Sequence, residues 1–328
     1  MEITEELKTT AMNEVLFGYS MQKFMSISVD DRFVHYTSAE TAMNILKGAS
    51  DERRYLWLRN ASDMNDFSEI QWGRYCFHEA VVKAPEVDAR LTELINQIEP
   101  SMAANLANEM TADFEHMQAN THLISLALHN KALSKTGLLS MWRAYGGPEN
   151  VCLVFNTAAF TGHQQAYELV LSPVHYAGPS DYQAQFKVML DRLEERIDIF
   201  KQVDPNNFLF NLKRAIDFSI LSTKHPAFAE ESEWRVIHYP NPFMNRADPP
   251  NEIVSINGKV QKIYKIPMEN QTDKALQNAE PNELIERVII GPTQSYELVR
   301  AAFIKLLGDA GIENPEAKVE FSGIPLRR

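Results

Sequence analysis

The stretch AEESEWRVIHYP, residues Ala229 to Pro240, places Glu231, Glu233 and Arg235 at alternate positions before the sequence turns apolar. Residues two apart in a strand share a face. The alternation therefore predicts a strand with both carboxylates and the guanidinium on one side and Trp234 and Val236 on the other. Two uses fit that pattern. It is either the polar side of an ordinary strand, with Arg235 partnering two solvated carboxylates, or one wall of a reactive site. Trp234, Val236 and Ile237 require only that one face be buried.

Other strand signals lie scattered among helical blocks. RFVHYTSAETAMNILKG reads as a strand running into a helix that Thr37 or Ser38 caps and Gly48 ends. RYLWLRN alternates as a short strand. THLISLAL and VCLVFN read as strands on either side of a helical turn and a Gly-Gly-Pro turn, and AYELVLSPVHYA as another. After the loop that follows the opening stretch, EIVSINGKVQKIYKIPM carries Asn257-Gly258 as a hairpin signal, and RVIIG, YELVRAAFIKLLGDAG and KVEFSGIPL form a closing strand, helix and strand. Helical periodicity dominates about 67–118 and 181–222. These patterns predict an α+β fold with mixed, mostly antiparallel central sheets. They divide the chain into an N-terminal helix and connector over 1–30 and one domain over 31–328 with two helical insertions.

The composition sets outer limits. A chain of 328 residues that is 45% hydrophobic supplies a real core. A formal charge of -12 and a pI near 5.3 argue against a broad electrostatic grip on nucleic acid or anionic membrane. Cys76 and Cys152 stand far apart with no CxxC or Cys/His cluster, so they are expected as buried small hydrophobes rather than a disulfide or zinc ligands. The acidic start MEITEELKTT does not read as a secretory signal, and no apolar run approaches membrane-spanning length. A cytoplasmic protein, or one delivered to a host or target-cell cytosol, is expected.

HYTSAETAMNIL, ASDMNDFSE, MWRAYGGPENVCLVF and ESEWRVI, followed by ERVIIGPT and SGIPLRR, together resemble the bacterial domain of unknown function family numbered 2971, DUF2971, over residues 33–328. A looser resemblance bears on chemistry. The His-Tyr-Thr strand feeding a helix, and the later Glu-x-Glu, look like the first and third motifs of ADP-ribosyltransferases of the His-Tyr-Glu type. That resemblance implies an ADP-ribosyltransferase-like fold, NAD as co-substrate, a macromolecular acceptor and no metal. It makes His35 the residue that holds the ribose, Glu233 the catalytic acid and Glu231 an accessory carboxylate. Tyr145 and Tyr176 both stand as the middle aromatic. The histidine motif belongs to one branch of those enzymes and the Glu-x-Glu spacing to another.

The chemistry suits these residue types. Breaking the nicotinamide–ribose bond builds positive charge on the sugar, and a fixed carboxylate beside it stabilises the transition state more than the ground state. Tyr36, Trp142 or Tyr145 could stack on nicotinamide. Thr37 lies near His35, and Arg143 or Arg235 could meet a phosphate. An NAD glycohydrolase would use the same cleft with water as acceptor. In a rival class the chain is a non-catalytic interaction module presenting MWRAY and the Asn-Pro-rich loop. A metal-dependent nuclease would instead need Asp66, Glu69, Glu231 and Glu233. Plainer roles are open for all of these: His35 holding a backbone group, Asn65, Asp66 and Glu69 capping a helix, and Trp142, Arg143 and Tyr145 packing above a tight turn. His129, Asn130 and His175 fall near strand ends. There is no GxGxxG after a strand, no P-loop and no HExxH.

Overall fold

The computed structural model describes residues 3–48, 53–63, 67–112, 117, 119–145, 149–161, 167, 169–238, 248–256, 258–272 and 276–325. Its strands, in chain order, are β1 (Arg32–Ser38), β2 (Tyr55–Asn60), β3 (His122–His129), β4 (Asn150–Asn156), β5 (Leu169–Pro173), β6 (His175–Tyr176), β7 (Thr223–Lys224), β8 (Glu233–His238), β9 (Asn251–Ile256), β10 (Lys259–Pro267), β11 (Ile285–Ile290) and β12 (Val319–Phe321). The fold is α+β with a large, mostly antiparallel sheet, as the scattered strand signals predict.

Contacts group the chain into two units, one of residues 1–27, 61–120 and 172–230, the other of 28–60, 121–171 and 231–328. In the first, the helix Glu5–Leu16 buries Ala11, Met12, Val15 and Leu16. It packs against the helices Pro179–Glu195 and Pro205–Leu221, which in turn pack against the helices Phe67–Phe77, Pro85–Asn96 and Met102–Ala112, so the two helical insertions and the N-terminal helix share one interior. Pro85 and Pro205 each sit in the first turn of their helix, where a missing N–H costs nothing. Asp204 caps the second by accepting from the Asn207 N–H. The short strands β6 and β7 pair in parallel here.

The second unit holds the large sheet, in the order β12-β11-β4-β1-β3-β2-β10-β9, with β8 joined to β3 and β5 joined to β8. β11 and β12 pair in parallel around the helix Tyr296–Asp309, which gives the expected closing βαβ unit. β9 and β10 form the predicted hairpin, with Gly258 at a φ of 77°. Asn257 of that signal lies outside the described residues. The helix Ala39–Lys47 starts at Ser38, whose Oγ accepts from the Thr41 N–H, and ends at Gly48, at a φ of 83°. The cap choice left open in the sequence thus falls on Ser38. Cys76 and Cys152 are both free and buried.

Two registers position the candidate site. β3 meets β8 along His122–Ala127 on one edge. On the other edge, β1 takes Ala127–His129 and β2 takes His122 and Leu123. The sheet therefore branches at β3, with Ile124, Ser125 and Leu126 between the two ladders.

The opening stretch departs from its reading at one point. Glu231 closes a 3-10 turn, Pro226–Glu231, and β8 begins only at Glu233. Ser232 between them has a φ of 46°, the left-handed region, which breaks the extended alternation. All six residues of β8 are buried, so this is not a strand with a solvated face.

Candidate functional site

The site grows from the pairing of β3 with β8. Ala127 stands opposite Glu233 and Ser125 opposite Arg235, so the four side chains share one face of the sheet. Glu233 and Arg235 are 7% and 3% exposed. Arg235 Nε donates to Glu233 Oε1 at 2.8 Å and Nη2 donates to Oε2 at 3.2 Å. Ser125 Oγ donates to the same Oε1 at 2.6 Å. A carboxylate removed from water needs such partners to remain ionised, and the two-pronged guanidinium also fixes its plane.

His35 reaches the same serine from β1. Its Nδ1 lies 3.0 Å from the Ser125 carbonyl oxygen. A carbonyl only accepts, so Nδ1 carries the hydrogen and the neutral ring presents a lone pair at Nε2. Desolvation is the main influence lowering the His35 pKa; the bond to Ser125 opposes it and the charge of Arg59 adds to it. The ring is neutral at pH 7. Val34 is opposite Ala127, so strand alternation puts His35 on the reverse face from Glu233. Its ring turns into the gap between ladders. Ser125 thus serves both: its carbonyl holds His35 and its hydroxyl holds Glu233. No sequence pattern singled out this residue. Its signal, a lone hydroxyl within the apolar strand HLISLALH, is visible only in retrospect.

The aromatic candidates are committed to packing. Tyr36 and Trp142 are 7% and 3% exposed in a cluster with Val34, Met141, Cys152 and Ile289. Their rings meet edge to face at 4.8 Å. The Tyr36 hydroxyl accepts from the Leu138 N–H at 2.8 Å and lies 3.4 Å from His129 Nε2, and burial raises its pKa. Trp142 Nε1 donates to the Thr136 carbonyl at 3.0 Å. Gly137 and Gly291 leave room for the indole: a Cβ on Gly291 would come within 2.7 Å of Trp142 Cε3. Tyr145 packs against this cluster, half-buried, in the unit that holds Glu233, whereas Tyr176 belongs to the other unit. Arg143 is exposed and Thr37 half-buried.

The remaining candidates are dispersed. Glu231 is buried but off the strand. Asn65 and Asp66 lie outside the described residues, as do Gly146, Gly147 and the side chain of Glu69. His129 is fully buried, and its pKa is lowered to about 4 by burial. His175 lies in the other unit. Among the described residues no group of three or more His, Cys, Asp or Glu is placed to hold a metal ion, and no helix is long and apolar enough to cross a membrane. An apolar cavity of ≈ 30 Å³ lies in the second unit, lined in part by Leu56, Phe160, Val236, Met268 and Leu284. Val236 and Glu233 project from opposite faces of β8, so this cavity is not the Glu233 site.

A family model described as Protein of unknown function (DUF2971) matches residues 141–236. The matched segment contains MWRAYGGPENVCLVF and ESEW, hence Trp142, Glu231, Glu233 and Arg235. It does not reach HYTSAETAMNIL, ERVIIGPT or SGIPLRR. No curated protein and no solved structure matches the chain.

Proposed function

We propose that the second unit is an NAD-dependent, ADP-ribosyltransferase-like catalyst that transfers ADP-ribose to a macromolecule, with Glu233 as the catalytic carboxylate and His35 as a ribose contact. The observation that supports this reading is the junction at Ser125. It joins the two residues that the ADP-ribosyltransferase resemblance singles out, from strands far apart in sequence.

Each group has a defined task. The C1′–N bond of NAD breaks with its electron pair leaving on neutral nicotinamide. The ribose gains positive charge, which the ionised Glu233 opposes in a buried setting where that interaction is strong. His35 Nε2 accepts from a ribose hydroxyl. The acceptor's nucleophilic atom then bonds C1′ and releases a proton, so NAD and acceptor become ADP-ribosylated acceptor, nicotinamide and H⁺. Ser125 and Arg235 hold the carboxylate still and do not themselves react. Water in the acceptor's place gives the glycohydrolase reaction.

The test is nicotinamide release from NAD by purified protein, with and without a cell extract as a source of acceptors. Release is expected to fall at least a hundredfold, about 2.7 kcal/mol, in Glu233→Gln and about tenfold in His35→Ala. Label carried on the adenosine side reports whether ADP-ribose ends on a macromolecule or free in solution. Absence of release by wild type under both conditions refutes the reading. It then favours an interaction module, in which the Glu233–Arg235 pair is only a brace within a wholly buried strand.

A further inference from the structure

We propose that Arg59 and Gln261, beside the branch in the sheet, form an anion subsite that holds the diphosphate of a dinucleotide. The identity of that ligand rests on the reading above; the anion site itself stands on separate geometry. Arg59 on β2 is opposite Leu123 of β3 and Ile263 of β10. Gln261 lies two residues before Ile263, so Arg59 and Gln261 share the sheet face that carries Ser125, Glu233 and Arg235.

Gln261 is only 4% exposed. Arg59 Nε donates to its Oε1 at 3.1 Å, which fixes the amide: the atom facing the guanidinium must be the oxygen. Its Nε2 then has no hydrogen-bond partner among the described residues. A buried donor left without an acceptor is costly, and persistent cases call for an explanation. An incoming acceptor beside Arg59 removes the cost, and the neighbouring cation selects an anion over a neutral group. A donor beside a cation fits an anion, and on the reading above that anion is the diphosphate of the dinucleotide.

Calorimetric titration with inorganic pyrophosphate and with ADP-ribose tests this without requiring turnover. Wild type is expected to bind both at one competitive site. Gln261→Glu keeps an oxygen for Arg59 but replaces the orphan donor with negative charge, and should weaken both at least about tenfold. If that variant does not fold by circular dichroism, Gln261→Met, which removes the donor without adding charge, takes its place with the same expectation. Wild type that binds neither probe, or a folded variant that binds both as wild type does, overturns the subsite. ADP-ribose binding without nicotinamide release would sink the proposed reaction and leave the subsite standing. Release from NAD with an unchanged KM in Gln261→Glu would sink the subsite alone.

Discussion

Glu233 and Arg235 show what a single buried ion pair commits a strand to. Removing one partner leaves the other charged and dry, so Arg235→Met is expected to lose about 3–5 kcal/mol in urea denaturation. Ser125→Ala removes one hydrogen bond to a charged group and should lose only about 1.5–3 kcal/mol. Glu233→Leu combined with Arg235→Met should recover much of the loss, because an apolar pair of similar volume replaces both charges. On the proposed reaction that double variant should still release no nicotinamide, which would separate the pair's structural role from the chemical one proposed for Glu233. At this scale the sequence was half legible. Alternation placed Glu233 and Arg235 together because it depends only on strand geometry. Ser125 stayed hidden because its importance comes from two strands that pairing brings to it, and no local pattern records which strands those are.

The element that misled was β8, and the cause is one backbone angle. Glu-Ser-Glu-Trp-Arg alternates well on paper, yet Ser232 takes a φ of 46° and Glu231 is left in the preceding turn. Glycine and asparagine advertise such a conformation; serine does not. The carbonyl of Ser232 still accepts from the Leu128 N–H at 2.9 Å, so the chain rejoins the sheet at once. Holding a residue with a Cβ in this region costs about 1–2 kcal/mol. Ser232→Gly is therefore expected to unfold no earlier than wild type in thermal melts, whereas Ser232→Val should lose about 1–3 kcal/mol. Equal melting of the two variants would show that this turn carries no strain. The neighbouring elements were easier to read because their punctuation is explicit: Ser38 and Gly48 bracket one helix, and Gly258 turns the β9–β10 hairpin.

Across the whole molecule, acid stability should be governed by buried histidines. His129 and His238 are fully buried, with pKa values lowered to about 4, chiefly by desolvation. His238 also faces Asp248, His122 and Lys262 and bonds the Tyr167 carbonyl. Between pH 6.5 and about 4 the unfolded chain binds protons that these folded rings refuse, so unfolding becomes more favourable as pH falls. Their contribution is complete above about pH 6.5 and declines below it by about 3 kcal/mol each. Urea midpoints should be level above pH 7 and drop between pH 6.5 and 4, with a smaller drop in His129→Gln. The large-scale grouping of the chain was the least legible feature. Each amphipathic insertion announces an apolar face but not its partner: the helices of 67–112 find it in those of 179–221, which also receive the helix near residue 10. The interleaving of the two units has a consequence for synthesis. As the chain emerges from a ribosome, the first unit lacks its third segment until Glu230 has been made, by which time two of the second unit's three segments are already waiting. Neither unit corresponds to one continuous stretch of message. Trimming these 328 residues from either end therefore shortens one unit or both, and a deletion that removes one unit whole must cut at several places.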